Sequence, residues 1–309
     1  MEIGMDFVTG LSQGVAWPWP IAVYLFLAGI SGGAVAIAIC MNLFKGSHAD
    51  TPSMKAATLV GFVTIVLGMV CLVLDLTNPL VFWRILIYYN PTSVMSIGVM
   101  ALLLYIPLVF VLMLVTLRDH PALKCLAPLT AAFAKVRAPL DWIVLFLAVA
   151  ICAYTGFLIS ALIRFPLINT AVLPALFVAS GFSAGCAAIK LIGAGWFGAD
   201  REGSDMHALH LAEWPIMAVE AMCIFMIAVA LISGNAAAQA AFVGFTEGVW
   251  AQVFWLGAIG VGFVVPLAVN FVKGLRESAG GFYLSAACAI FGMMCLRLFI
   301  LYAGQLNAM

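Results

Sequence analysis

The chain has 309 residues, of which 66% are hydrophobic and 8% charged. Soluble domains carry about 25% charged residues, so this composition excludes a water-soluble fold and points to a polytopic membrane protein. Thirteen basic residues balance thirteen acidic ones, which argues against a nucleic-acid partner.

The first 16 residues hold Glu2 and Asp6 and no Lys or Arg. Without a positive n-region, no cleavable targeting peptide is expected. A helix needs about 20 apolar residues to cross a bilayer. Eight such runs follow, at roughly 17–44, 55–78, 93–117, 141–163, 170–197, 208–233, 249–272 and 280–302. The loops after the odd-numbered runs hold Lys45, Lys55, Arg118, Lys124, Lys135, Arg137, Arg201, Lys273 and Arg276, whereas the other face has Arg84 and Arg164. Positive loops stay inside, which predicts cytoplasmic odd loops and both termini on the periplasmic side.

The first run contains "GISGGAVAIAI" from Gly29, and the fifth contains "GFSAGCAAIKL" from Gly181. Small residues let helix backbones approach closely. Their matching places predict an all-α membrane protein of eight helices in two parallel-repeat four-helix bundles. In that scheme residues 1–140 hold three helices, 141–163 the fourth that completes the first bundle, and 164–309 the second bundle.

Ionisable residues inside a membrane are costly and mark functional sites. Here they are Asp75, Asp141, Lys190, Glu213, Glu220 and Arg297. The stretch "HALHLAEWPIMAVE" puts His210 and Glu213 on one helix face with Glu220 two turns deeper. His210, Glu213, Glu220, Lys190, Arg297 and Asp141 are therefore candidates for proton transfer. The four histidines (His48, His120, His207 and His210) lie in loops or at a helix start, so no bis-His haem site is expected. The eight cysteines form no CxxC pair and read as small buried residues.

The loop "DLTNPLVFWRILIYYNPTSVMSIG", from Asp75 to Gly98, is richer than a connector needs. It offers an acid, an arginine, aromatics and an Asn-Pro-Thr-Ser turn. Together with "WPWPIAVYLFLAGISGG", "AYTGFLISAL", "LHLAEWP" and "LRLFILYAGQ" it resembles the NrfD/PsrC family of integral membrane subunits in multi-subunit redox complexes. The resemblance runs over nearly the whole chain. Within the family it is most similar to the NrfD of formate-dependent nitrite reduction, in "AYTGFLISAL" and "RLFILYAGQL".

The resemblance implies a menaquinol/menaquinone site near the periplasmic face, no haem, and a four-cluster ferredoxin-like iron–sulfur partner docked there. A terminal reductase, either a multihaem cytochrome or a molybdenum enzyme, would lie beyond it. The family's headgroup tyrosine matches Tyr154. A first-helix histidine of the PsrC type falls at Tyr24, and its asparagine at Ile21. The histidine before Pro-Thr-Ser is replaced by Asn90, and the acid on the second helix does not align cleanly with Asp75. Quinol chemistry needs hydrogen bonds to both oxygens and a base. Tyr154, Tyr24, Asn90, Thr92, Ser93, Asp75, Arg84 and Trp19 are the expected quinone-binding residues, with Arg84 balancing the Asp75 charge. Trp17, Trp19, Phe82, Trp83, Tyr88 and Tyr89 are expected as a stacking wall. A polysulfide, thiosulfate or tetrathionate molybdoenzyme anchor, a secondary transporter and a purely structural anchor are the competing readings.

Overall fold

In hydrocarbon no water is present to satisfy backbone N–H and C=O groups, so each apolar run closes its own hydrogen bonds as a helix. The computed structural model describes residues 17–76, 80, 83–88, 90–121, 127–276 and 278–306. Eight helices in it have the length and apolarity to cross a membrane. They are α1 (Trp19–Phe44), α2 (Pro52–Leu74), α3 (Val94–Thr116), α4 (Arg137–Ser160), α5 (Leu173–Gly195), α6 (Ser204–Ile232), α7 (Gly248–Phe271) and α8 (Ala279–Leu306). The eight expected runs are thus all present.

Local chemistry sets where they start and stop. Pro52 opens α2, where its missing N–H costs nothing, and Thr51 caps it by accepting from the Met54 amide at 3.2 Å. The same helix stops at Leu74, with Asp75 as its capping residue. α4 starts at Arg137, a turn earlier than hydropathy suggests, because the Arg137 guanidinium is neutralised by Asp141 at 2.8 Å and Asp50 at 3.0 Å. Within α7, residues Val253–Val264 are wound as a π-helix, a widened geometry common at functional places.

Helices α1 to α4 close a ring in which each packs on its neighbours. In the other half α6 packs on α5, α5 on α8, and α8 on α7. An edge-on Trp214–Phe271 pair, 5.8 Å between ring centroids, bridges α6 and α7. The halves meet chiefly through α1 and α5, along the two small-residue segments singled out above. A Cβ on Gly33 would run into the Gly181 backbone, and one on Gly185 into the backbone of Gly33 and Ala34. Ser31 on the same stretch donates to the Gly61 carbonyl at 2.6 Å and shares a hydrogen bond with the Tyr105 hydroxyl at 3.0 Å. These bonds lock α1 between α2 and α3. Large apolar side chains such as Leu67, Phe146, Phe225 and Leu256 are exposed on the outside, as a lipid-facing surface requires.

Two ends result. The first rim is where α1, α3, α5 and α7 begin, and the second rim is where they finish.

Candidate functional site

A cavity of about 230 Å³ opens at the first rim among α1, α2, α3 and α4. Its wall is mostly aliphatic, from Ile21, Met69, Leu72, Met95, Val99 and Leu102. Three polar side chains interrupt it: Tyr24 from α1, Tyr154 from α4, and Asp75 at the end of α2. Tyr24 is buried, and its hydroxyl has no hydrogen-bond partner among the described residues. An unpaired hydroxyl in an apolar site is unfavourable by about 1–3 kcal/mol, and a ligand oxygen would remove that cost. The Tyr154 hydroxyl donates to the Met95 carbonyl at a long 3.4 Å. Asp75 is half-buried, and burial pushes its carboxyl up to about 6, within reach of proton exchange near neutrality. This set suits a largely apolar ligand bearing carbonyl or hydroxyl oxygens.

The other expected residues lie elsewhere. Asn90 uses its side-chain oxygen locally, accepting from the Thr92 amide at 3.1 Å and the Thr92 hydroxyl at 2.8 Å. Ser93 precedes α3 without a side-chain cap. This turn is largely exposed and does not line the cavity. Arg84 sits on an exposed turn of helix with its guanidinium 5.8 Å from the Trp83 ring centroid. Among the described residues it forms no ion pair with Asp75, so the expected charge balance is not seen. Trp19, Trp83 and Tyr88 are exposed, while Phe82 and Tyr89 lie outside the described residues. Among the described residues of the proposed aromatic wall, Trp17 reaches the cavity.

A second, polar chamber of about 410 Å³ lies at the second rim of the other half. Lys190, Arg201, Glu202, His207, His210 and Asn270 are among the residues around it. Lys190 donates to Glu213 at 2.5 Å, and His210 approaches the same carboxylate at 3.6 Å. Glu220 is buried two turns deeper on α6. Arg297 is fully buried. Its Nη2 donates to the Phe177 carbonyl at 3.2 Å, and its guanidinium lies 3.5 Å over the Phe177 ring. Asp141 stands apart from this group. It is held by Arg137 and by His48 at 2.7 Å, at the second rim of the first half. Five of the six expected proton-transfer residues thus share one half of the molecule, and the sixth belongs to an ion-pair clasp.

Residues 7–308 match the family model described as polysulphide reductase, NrfD. The chain belongs to the NrfD family. It is 40% identical over 300 residues to the C subunit of the Wolinella succinogenes polysulfide reductase, covering 94% of this chain and 95% of that protein. It is 37% identical to protein NrfD of Escherichia coli, covering 96% of each, and 36% identical to an NrfD homolog of Haemophilus influenzae, covering 95% of each. These values do not separate a likeness to NrfD from one to the polysulfide reductase C subunit. The NrfD-family chain is accordingly a multi-pass integral membrane protein of the bacterial inner membrane.

One residue of the family motifs acquires a role that its type alone does not reveal. Gln305, in "LYAGQ", accepts from the Trp17 amide at 3.0 Å and donates to the Trp17 carbonyl at 3.2 Å. The end of α8 thereby holds the residue that lines the cavity of the other half. A glutamine near a helix end carries no sequence signal for such a bond.

Proposed function

We propose that this chain is the quinone-reactive membrane subunit of a respiratory oxidoreductase complex. In this reading it exchanges electrons between menaquinol or menaquinone and a peripheral four-cluster iron–sulfur subunit, which feeds a terminal reductase. The observation that carries it is the first-rim cavity. An unpartnered Tyr24 hydroxyl, the Tyr154 hydroxyl and the Asp75 carboxyl converge there in an otherwise aliphatic wall. Membership of a family that includes the polysulfide reductase C subunit supports it.

The loop charges support an orientation with the first rim on the periplasmic side. Arg84 and Arg164 are its loop cations, while Lys45, Lys55, Arg118, Lys135, Arg137 and Arg201 lie at the second rim. The close pairing of α1 with α5 supports reading α1–α4 and α5–α8 as parallel repeats. Bound quinol would supply the two-electron chemistry. Tyr24 and Tyr154 hold its oxygens, Asp75 accepts a proton, and the aliphatic wall keeps water from the headgroup. At the opposite rim, His210, Glu213 and Lys190 are read as the cytoplasmic proton-exchange group, with Glu220 and Arg297 deeper.

The test is Tyr154→Phe in the purified complex. Losing one hydrogen bond of roughly 1.5 kcal/mol should lower quinol-dependent electron flow about ten-fold, with subunit recovery unchanged. Full activity would discard the assigned cavity.

A further inference from the structure

Gly98 lies on the wall of α3 that faces the cavity, one turn from Met95 and from Leu102 and next to Val99, all of which line it. It is buried. Among the described residues the left-handed glycines are Gly46, Gly198 and Gly248; Gly98 is not one of them, so any L residue can adopt its helical conformation. The requirement at this position is therefore space. A Cβ built on Gly98 would fall within the Tyr154 phenol, overlapping Cζ, Cε1 and the hydroxyl oxygen. Tyr154 crosses α3 at the one point where the wall has no side chain, and from there its hydroxyl reaches the Met95 carbonyl.

We infer that Gly98 is a positioning residue for the quinone site: its missing side chain is the seat on which the Tyr154 ring rests. The inference rests on the quinone reading given above. With a methyl group at 98 the ring must tilt out of its seat, carrying the hydroxyl away from the headgroup position. Displacements of about 1 Å in such groups can cost about 100-fold in rate.

The experiment compares Gly98→Ala, Tyr154→Ala and the double variant in the intact complex. It measures oxidation of a short-chain naphthoquinol and the thermal midpoint of the complex. Gly98→Ala alone is expected to lower kcat/KM by about 10- to 100-fold. In the Tyr154→Ala background, where no ring occupies the seat, the same substitution should change kcat/KM and the midpoint by almost nothing. A general packing role for Gly98 predicts equal damage in both backgrounds, and that result overturns the inference. So does normal turnover by Gly98→Ala when Tyr154→Ala is impaired. If Gly98→Ala fails to assemble, the double variant must recover assembly, and its failure to do so also overturns the inference. Wild-type quinol kinetics in Tyr154→Ala would instead remove the quinone reading itself.

Discussion

The first rim looks different in the two halves of the molecule. In α1–α4 it holds an open cavity with two tyrosines and an acid on its wall. In α5–α8 the corresponding end carries aromatic packing beside a separate cleft of about 290 Å³ lined by Asn169, Thr170 and Asn235, with no ionisable side chain among its described lining residues. Phe245, Phe254 and Phe299 meet with ring centroids 4.7–4.9 Å apart, and Trp250 stacks on Tyr302 at 4.6 Å. The second rim differs between the halves as well. There the first half is tied shut by His48, Asp50, Arg118, Arg137 and Asp141, while the second half opens around Lys190 and His210. Similar glycine-bearing helices form the seam, yet the two halves place different side chains around the cavities at their ends. Packing sets a common frame, and a few polar side chains at its ends set what each half can bind.

The largest expected effect comes from the shared frame. Gly33→Leu drives a branched side chain into the Gly181 backbone, where neither helix can yield. Overpacking of this kind should cost at least about 3 kcal/mol, seen as loss of recoverable subunit from membranes, with both halves lost together. Next is Lys190→Met, which strands the mostly buried Glu213 carboxylate without its partner. A loss of about 3 kcal/mol is expected, read as a lowered thermal midpoint, with the quinol KM unchanged and partial recovery on adding Glu213→Gln. A raised quinol KM would show that the Lys190 chamber and the α1–α4 cavity are coupled in function.

Smaller effects sharpen the comparison. Gln305→Leu removes both bonds to the Trp17 backbone and should cost about 1–2 kcal/mol. Although it sits on α8, its kinetic effect should appear as weaker quinol binding in α1–α4, measured as a rise in KM. The smallest is a pH effect. Asp75 is held protonated up to about 6 by burial, so it gains the capacity to take a proton as pH rises through that value. Quinol oxidation should climb across pH 6, and Asp75→Asn should flatten that step. The sign for stability is opposite. Its folded pKa exceeds the unfolded value, so its contribution is full below about 4 and lost as pH rises through about 6. Asp75→Asn should remove this decline from the pH dependence of the thermal midpoint.

How much of this the sequence reveals depends on the kind of force involved. Lipid leaves the backbone no alternative to helix, so all eight spans were legible from apolar runs. Boundaries slipped where charge was neutralised in space: Arg137 counts as a loop residue until Asp50 and Asp141 are seen beside it. The pairing of Gly29 and Gly33 with Gly181 and Gly185 was legible as two similar segments, though not that they touch. Resemblance to the family pointed to Tyr154 and Tyr24, and both line the cavity. The 90–93 turn was expected there too, but Asn90 satisfies its own turn and faces outward. A hydrogen-bonding side chain announces its chemistry and not its partner. Gly98 was invisible for a related reason: its importance is a volume it does not fill.

Quinone binding in the α1–α4 cavity is the claim on which the rest depends. The most direct measurement is photolabelling of the purified complex with an azido-naphthoquinone, followed by mass spectrometric mapping of the modified residues. Labels are predicted on the wall that carries Tyr24, Met95, Leu102 and Tyr154, and an excess of unlabelled menaquinone should abolish them. Labelling confined to the Lys190 and His210 chamber, or spread evenly over the lipid-facing surface and indifferent to menaquinone, would contradict it.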